Sequence, residues 1–89
     1  MMFTLWAKIF KRSRLLKDLT ITDDSADSRT AKVVHAVTQV CHAFDLAEPL
    51  WLDANIREFQ KRSRTRFSQD NFIETVDFDY LEIQVIEED

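Results

Sequence analysis

Two apolar runs near the start of the chain constrain its architecture most strongly: FTLWAKIF at residues 3–10 and RLLKDLTIT at residues 14–22. They predict two antiparallel strands joined as a hairpin, because a short turn between them sets apolar side chains opposite one another. The competing interpretation makes residues 2–13 an amphipathic helix, since apolar residues there also fall on one helical side. The helical pattern fails at Leu15 and Lys17, which would point the wrong way, so we favour the hairpin.

The length of the connecting loop fixes the hairpin register, and two lengths can be compared by the pairs they create. A two-residue loop would set Leu5 against Thr20, which mixes apolar and polar side chains. A three-residue loop at residues 11–13 instead pairs Leu5 with Leu19 and gives one continuous apolar face. We therefore predict the three-residue loop, with Leu5 opposite Leu19 on the side that faces the core. The same register forms the pairs Ile9–Leu15 and Phe3–Ile21.

This register leaves three large apolar side chains on the opposite face of the hairpin: Trp6, Phe10 and Leu16. An exposed apolar patch of this kind marks a surface for a partner when the rest of the chain does not cover it. A second copy could offer the same patch in return, and the hairpin would also present an edge strand for β-pairing. Either the C-terminal segments of the chain cover this face, or it is a protein-interaction surface used by another protein or by a second copy of the chain.

An α-helix is predicted after the polar loop at residues 23–28. Its apolar residues recur at i, i+3/i+4 and i+7, which is the spacing of one helical face. Asp27 or Ser28 is expected to cap its N-terminus, and the helix should end near Phe44. The predicted apolar stripe consists of Val33, Val34, Val37, Val40, Cys41 and Phe44.

A second, shorter helix is predicted over residues 54–62. Asp53 is placed to cap it, and Ile56 and Phe59 are its expected buried residues. Residues 63–71 are polar and basic, and they are expected to form a loop or an exposed edge strand.

The C-terminal segment alternates in two phases, and its apolar phase changes between Tyr80 and Leu81. This change predicts either a β-bulge or the junction between a turn and a strand. The element order is then strand, strand, helix, short extended segment, helix, strand. We predict an α+β fold of one domain over residues 1–89. It is a small, mostly antiparallel sheet, made of the N-terminal hairpin and the C-terminal strand, with two helices on one face.

The composition excludes several classes of enzyme. The chain has 89 residues, no glycine and a formal net charge of −4. A P-loop, a dinucleotide-binding turn and a nucleophile elbow all need glycine, because their backbone approaches a phosphate or takes a positive φ. The apolar share of 45% is too high for a disordered chain. We expect a protein that works by binding rather than by catalysis, and no cofactor.

The single cysteine, Cys41, excludes an internal disulfide and a CxxC zinc site, which favours a reducing, cytoplasmic compartment. The basic residues 8–14 follow the apolar start, which is the reverse of a secretory leader, so we expect no signal peptide. The longest uncharged stretch, residues 33–44, has twelve residues and is too short to span a bilayer. Cys41 is expected to be a buried apolar residue rather than a nucleophile paired with His42.

Four short motifs mark the second half of the chain: WLDAN at residues 51–55, REFQ at 57–60, QDNFIE at 69–74 and DFDYLEI at 77–83. On these motifs the chain resembles a family of short uncharacterised bacterial proteins, most closely over residues 51–86. The resemblance implies a bacterial cytosolic protein of similar size. It carries over no activity and no functional residue.

Charge is unevenly distributed along the chain. Residues 1–17 carry five positive charges, residues 56–66 carry five positive charges and one negative, and residues 67–89 carry eight negative charges. Phe59 and Phe67 border the basic segment, so it could neutralise phosphates and stack a base of a nucleic acid or bind another polyanion. In the opposing interpretation these cations are solvated or pair with the acidic C-terminal third. The basic residues are Arg57, Lys61, Arg62, Arg64 and Arg66.

A further hypothesis concerns Asp77 and Asp79, which would point the same way from a strand with Glu74 nearby. Two carboxylates at this spacing could hold Mg²⁺ or flank a water, as in a metal-assisted hydrolase. The simpler interpretation is the polar face of an amphipathic strand. His35 and His42 lie two helical turns apart, about 10.5 Å by helical rise, which is too far to share a metal ion.

These observations favour a small cytoplasmic, non-catalytic interaction module that binds a protein partner or forms a homodimer, and that does not bind a membrane. The alternative is a nucleic-acid or polyanion binder that uses residues 57–66. The third candidate is the hydrolase, which would use Asp77 and Asp79.

Overall fold

The computed structural model of the chain describes residues 2–88. Their helices and strands are, in chain order, β1 (Phe3–Lys11), β2 (Arg14–Asp23), α1 (Arg29–Phe44), α2 (Asp53–Arg62), β3 (Arg64–Phe67) and β4 (Tyr80–Glu87). Within this described range the strands form one antiparallel sheet in the order β2-β1-β4-β3. The predicted α+β fold with a small, mostly antiparallel sheet is therefore confirmed. Among the helices of the same range, none combines the length and the apolar character needed to cross a membrane.

Both helices pack on the same face of the sheet, and the core lies between them and the strands. Alternate residues of β1 are at most 2% exposed on this face: Phe3, Leu5, Ala7 and Ile9. Residues two positions apart lie on one side of a strand, whereas a helix would distribute them around its axis. The helical interpretation of residues 2–13 is therefore wrong.

The predicted hairpin register is also wrong. The turn contains two residues, Arg12-Ser13, and both have positive φ, 52° and 65°. This mirror-image turn fits the twist of the strands, and here it forms without glycine. The register then shifts at a bulge at Leu16, so that Leu5 lies opposite Ile21 instead of Leu19. The bulge restores the apolar pairing that a two-residue loop alone would lose.

The bulge also exchanges the positions of two leucines. Leu15 pairs with Phe10 and therefore lies on the face of the sheet away from the helices. Leu16 lines a groove with Ile9 and Phe44 on the helix side. The prediction that Leu16 shares a face with Phe10 is therefore wrong, because one extra residue in a strand reverses which side the following residues face.

The predicted helix α1 is confirmed in its bounds. Ser28 caps it by accepting a hydrogen bond from the backbone N–H of Ala31 at 3.2 Å. The helix ends at Phe44, and Asp45, its C-cap, lies in the left-handed region. Val34, predicted in the buried stripe, is 47% exposed. Its position on the helix points toward α2 instead of the sheet, where it lines a groove with Ile56.

The second helix begins one residue earlier than predicted. Asp53 is its first residue and not its cap, and the backbone N–H of Leu52 donates to Asn55 Oδ1 at 3.2 Å. Phe59 is buried as expected, but Ile56 is 41% exposed beside α1. Residues 63–71 were expected to form a loop or an exposed edge strand, and the structure has an edge strand, β3, over Arg64–Phe67 of this segment. The change of phase near Tyr80 is the junction where β4 begins.

Two buried asparagines connect the loops around β3. Asn55 Nδ2 donates to Thr65 Oγ1 and to the Arg66 carbonyl oxygen, both at 2.9 Å. Asn71 Nδ2 donates to Asn55 Oδ1 and to the Leu50 carbonyl oxygen, both at 2.7 Å. These bonds fix α2 and the loop before β4 against the outer strand of the sheet.

Candidate binding surfaces

We call the sheet face opposite α1 and α2 the open face, since neither of these two helices packs on it. Its side chains come from every second residue of each strand, because successive side chains of a strand point to opposite faces. The residues between them face the core. From β1 to β3 they are Trp6, Lys8, Phe10, Tyr80, Glu82, Gln84, Arg64 and Arg66.

An ion-pair network lies at the centre of the open face. Glu82 accepts from Lys8 Nζ and from Arg66 Nε, both at 2.9 Å. Burial by itself would raise the pKa of Glu82, but the hydrogen bonds and charges of Lys8 and Arg66 outweigh it and hold that pKa below its usual value. The carboxylate is thus ionised at neutral pH, and its two cations leave a net positive charge.

Aromatic rings flank this network on both sides. Lys8 Nζ lies 3.9 Å from the centre of the Trp6 ring, and Trp6 Nε1 donates to Asp18 Oδ2 at 2.9 Å. Phe10 and Tyr80 stack with ring centres 5.2 Å apart. Trp6 and Phe10 therefore lie on the open face as predicted, but their own neighbours leave them half-buried, so they do not form an isolated apolar patch.

Three of the five predicted basic residues meet at the outer side of β3. Arg62, Arg64 and Arg66 line one cavity of about 200 Å³, together with Glu58 and Glu82. Arg66 also lies over the ring of Tyr80, with its guanidinium carbon 4.5 Å from the ring centre. We call this group the basic edge; its remaining members, Arg57 and Lys61, are exposed on α2 outside the cavity.

The basic edge forms few ion pairs, although Glu58 and Glu82 line its cavity. Of its five cations, only Arg66 forms an ion pair with a residue in the described range. The acidic C-terminal third pairs instead with bases from earlier in the chain: Glu82 with Lys8, Asp77 with Lys11, and Glu88 with Arg29. The interpretation that the basic segment pairs with the acidic third holds for Arg66 alone.

Phe59 and Phe67 do not contribute to this surface. They are 6% and 0% exposed, and Trp51 packs edge-on against both rings within the core. The expectation that they could stack a base is therefore wrong. Tyr80 provides the aromatic ring beside the basic edge. The change of apolar phase between Tyr80 and Leu81 is the sequence signal that could have indicated that Tyr80 lies on the face away from the core.

The expectation that Asp77 and Asp79 project from a strand is wrong, because both precede β4. Asp77 pairs with Lys11 at 2.9 Å, whose hydrogen bond and charge lower the pKa of that carboxyl. Asp79 Oδ2 accepts from the backbone N–H of Arg12 at 2.8 Å. Both carboxylates thus hold the hairpin turn. Across residues 2–88 no three His, Cys, Asp or Glu side chains gather closely enough to hold a metal ion.

The remaining candidates from the sequence lie apart from these surfaces. His35 is exposed, and its Nδ1 lies 3.8 Å from Asp27 Oδ2. His42 is also exposed, whereas Cys41 is 1% exposed within the core. Burial, with a smaller effect of the Glu48 charge, raises the pKa of the Cys41 thiol to about 11. A protonated, buried thiol is not a nucleophile.

An apolar groove between α1 and α2 was not predicted. It has a volume of about 250 Å³ and is lined chiefly by Val34, Trp51, Ile56 and Phe59. Val34 and Ile56 were expected to be buried on their helices, but both are exposed where they line this groove between α1 and α2.

Comparison of the chain with protein-family models, with curated proteins and with solved structures finds no match in any of the three.

Proposed function

We propose that the protein is a non-catalytic interaction module whose ligand is a single-stranded nucleic acid, bound along the open face and the basic edge. The observation that carries this proposal is that cations and aromatic rings lie on one face of the sheet. Arg64 and Arg66 project from β3 onto the same face as the stacked rings of Tyr80 and Phe10. Proteins that bind single strands combine cations that follow the phosphates with rings that stack on bases.

The pairing of charges favours phosphate binding at this edge despite the net charge of −4. Asp77 and Glu88 pair with Lys11 and Arg29, so they do not neutralise the basic edge. Glu82 lies between Lys8 and Arg66 and therefore neutralises the edge only in part. Arg57, Lys61, Arg62 and Arg64 have no ion-pair partner in the described range. Their binding to phosphates would release counterions, which is the main driving force for such binding.

A sheet face without a covering helix suits a single strand better than a duplex. Four strands without a covering helix present rings and cations at one level, and a single strand can lay unpaired bases on it. The half-buried Trp6, Phe10 and Tyr80 are held by neighbouring side chains, so they are already oriented before a ligand arrives. A protein partner on the patch of Trp6 and Phe10 is less favoured, because that patch is already covered in part.

A bacterial, cytoplasmic setting is part of this proposal. The single thiol of Cys41 suits a reducing compartment, and it lies buried and unpaired by any disulfide. The bacterial origin is supported only by the resemblance over residues 51–86.

Fluorescence anisotropy of a labelled single-stranded oligonucleotide of about 15 nucleotides tests the function, since that length covers one site of this type. Wild-type protein should bind at low salt, and affinity should fall steeply as salt rises. The variant Arg62→Ala/Arg64→Ala should bind more weakly, with a salt slope lower by roughly 0.7 for each phosphate that the variant no longer neutralises. The single variant Arg64→Ala should also bind more weakly than the wild type, and its matched control is Lys32→Ala, which removes one cation from α1 and should bind like the wild type.

Two outcomes would contradict the proposed function. One is the absence of binding by the wild-type protein at low salt. The other is an unchanged affinity and salt slope in Arg62→Ala/Arg64→Ala, which would show that the basic edge does not bind the phosphates. A duplex of the same sequence, bound equally well, would contradict the role of the aromatic rings.

A further inference from the structure

The other margin of the sheet is formed by β2, whose outer side pairs with no strand of the described range. This edge strand is ten residues long, whereas β3 at the opposite margin has four. Its only bulge lies at Leu16, close to the hairpin turn, so residues 17–23 form a regular, extended segment. Long regular edges of this kind are templates for pairing with another strand.

A hydrogen bond between β1 and the residue before β4 shows which backbone N–H and C=O groups of β2 point to the open edge. The Phe10 carbonyl oxygen accepts from the backbone N–H of Asp79, so the backbone groups of Phe10 point toward β4. Backbone groups alternate along a strand, so those of Trp6 point the same way. Trp6 is opposite Thr20, and the Thr20 N–H and C=O must therefore point away from β1, to the open edge.

The sequence of residues 17–23, KDLTITD, is complementary to itself in one antiparallel register. With Thr20 opposite the Thr20 of a second copy, Leu19 lies opposite Ile21 and Lys17 lies opposite Asp23. Opposed residues share a face, so the apolar pair and the ion pair each occur twice about the two-fold axis. The outward backbone groups of Thr20 then bond to each other, and the ladder gains about six main-chain hydrogen bonds.

Neighbouring registers lack this complementarity. Centring the pair on Ile21 sets Leu19 against Asp23, and centring it on Leu19 sets Lys17 against Ile21. Each places an apolar side chain against a charge on the helix side of the sheet. The sequence thus selects one register among those that a two-fold axis perpendicular to the sheet allows.

We propose that two copies of the chain pair through β2, antiparallel and centred on Thr20, to form one continuous sheet with the order β3-β4-β1-β2 in each half. Leu19 and Ile21 are half-buried in the single chain and become covered by their counterparts. The two basic edges lie at the outer ends of this sheet. The homodimer therefore uses the sheet edge, not the open face, and it does not depend on the nucleic-acid binding proposed above.

Sedimentation velocity over a concentration series, up to about 1 mM to capture a weak association, measures this dimer. Thr20→Pro removes one outward N–H and should abolish it, while the β1–β2 ladder stays intact because that N–H does not face β1. Thr20→Val keeps the N–H and should still dimerise. A wild type that stays monomeric throughout, or a folded Thr20→Pro variant that dimerises normally, overturns the proposal.

A mixing experiment tests the register and separates pairing from folding. Lys17→Asp alone sets Asp against Asp23, and Asp23→Lys alone sets Lys17 against Lys, so each homodimer should weaken about tenfold. An equal mixture of the two variants restores both ion pairs and should dimerise like the wild type. Variants that were only misfolded would gain nothing on mixing, and a mixture as weak as its components rejects this register.

Discussion

Lys8 Nζ lies 2.9 Å from Glu82 Oε2 in the middle of the open face, and the two residues are 8% and 7% exposed. They come from β1 and β4, which pair in the centre of the sheet. A buried ion pair on a face without a helix is covered by neighbouring side chains, here the ring of Trp6 and the guanidinium of Arg66. The open face is therefore a preformed polar surface with charges held in fixed places.

The first prediction concerns the loss of stability when the Lys8–Glu82 ion pair is broken. Glu82→Gln should lower the free energy of unfolding by roughly 2–4 kcal/mol, because Lys8 then stays buried without its counter-charge. Lys8→Met combined with Glu82→Leu should recover most of the loss, since an apolar pair of similar size needs no charge partner. Urea denaturation followed by tryptophan fluorescence measures both. A double variant less stable than Glu82→Gln would contradict this prediction, because it would show that the Lys8–Glu82 ion pair stabilises the fold more than an apolar pair does.

Glu82 also predicts how stability depends on pH. Its folded pKa is lower than the unfolded value near 4.5, so the folded state binds its proton less readily. The stability it contributes is therefore complete above the unfolded pKa and is lost as pH falls through the lower, folded value. Acid denaturation of the wild type and of Glu82→Gln should show a steeper loss below pH about 4.5 in the wild type. Parallel curves would exclude Glu82 as the source.

Cys41 provides a prediction on reactivity. With the pKa of its thiol raised to about 11 by burial, almost no thiolate exists at pH about 8, and the sulfur lies in the core. A thiol-specific reagent should react with the native protein very slowly and with the urea-unfolded protein at the rate of a free cysteine. Rapid labelling under native conditions would mean that α1 separates readily from the sheet.

The asparagine pair gives a prediction on the loops. Asn55→Ala should destabilise the protein by roughly 2–3 kcal/mol, because it leaves buried partners such as Asn71 and Thr65 unsatisfied. Gln60→Ala, on an exposed position of the same helix, should change stability by less than about 0.5 kcal/mol. Thermal denaturation of both variants compares them. An equal effect of the two substitutions would contradict the structural role of Asn55.

The elements of this fold could be predicted from local patterns, but their register could not. Spacing and capping residues indicated α1 within its observed bounds, ending at Phe44, and Ser28 is the cap of the two candidates, Asp27 and Ser28. The hairpin was predicted, but its two-residue turn was not. Arg12 and Ser13 take positive φ in this turn, although turns of this type favour asparagine and glycine. The bulge at Leu16 then reversed two side chains, because a strand changes face with a single inserted residue.

The candidate surfaces depended on long-range packing that the sequence pattern could not supply. The basic segment and the two aromatic residues of the hairpin were identified, but their common location requires β1 to lie beside β4, and Lys8 and Glu82 are far apart in the chain. Phe67 was assigned to a stacking role that its place on the core side of β3 excludes. Pairing between distant strands is set by the packing of the whole chain, which periodicity does not reveal.

An amide chemical-shift titration of the isotope-labelled protein with a single-stranded oligonucleotide tests the central claim most directly. Binding at the open face predicts saturable shifts at Arg64, Arg66 and Tyr80 and at the indole N–H of Trp6, with the amides of α1 unchanged. Shifts confined to α1 and the apolar groove, or no saturable shifts at low salt, would contradict it.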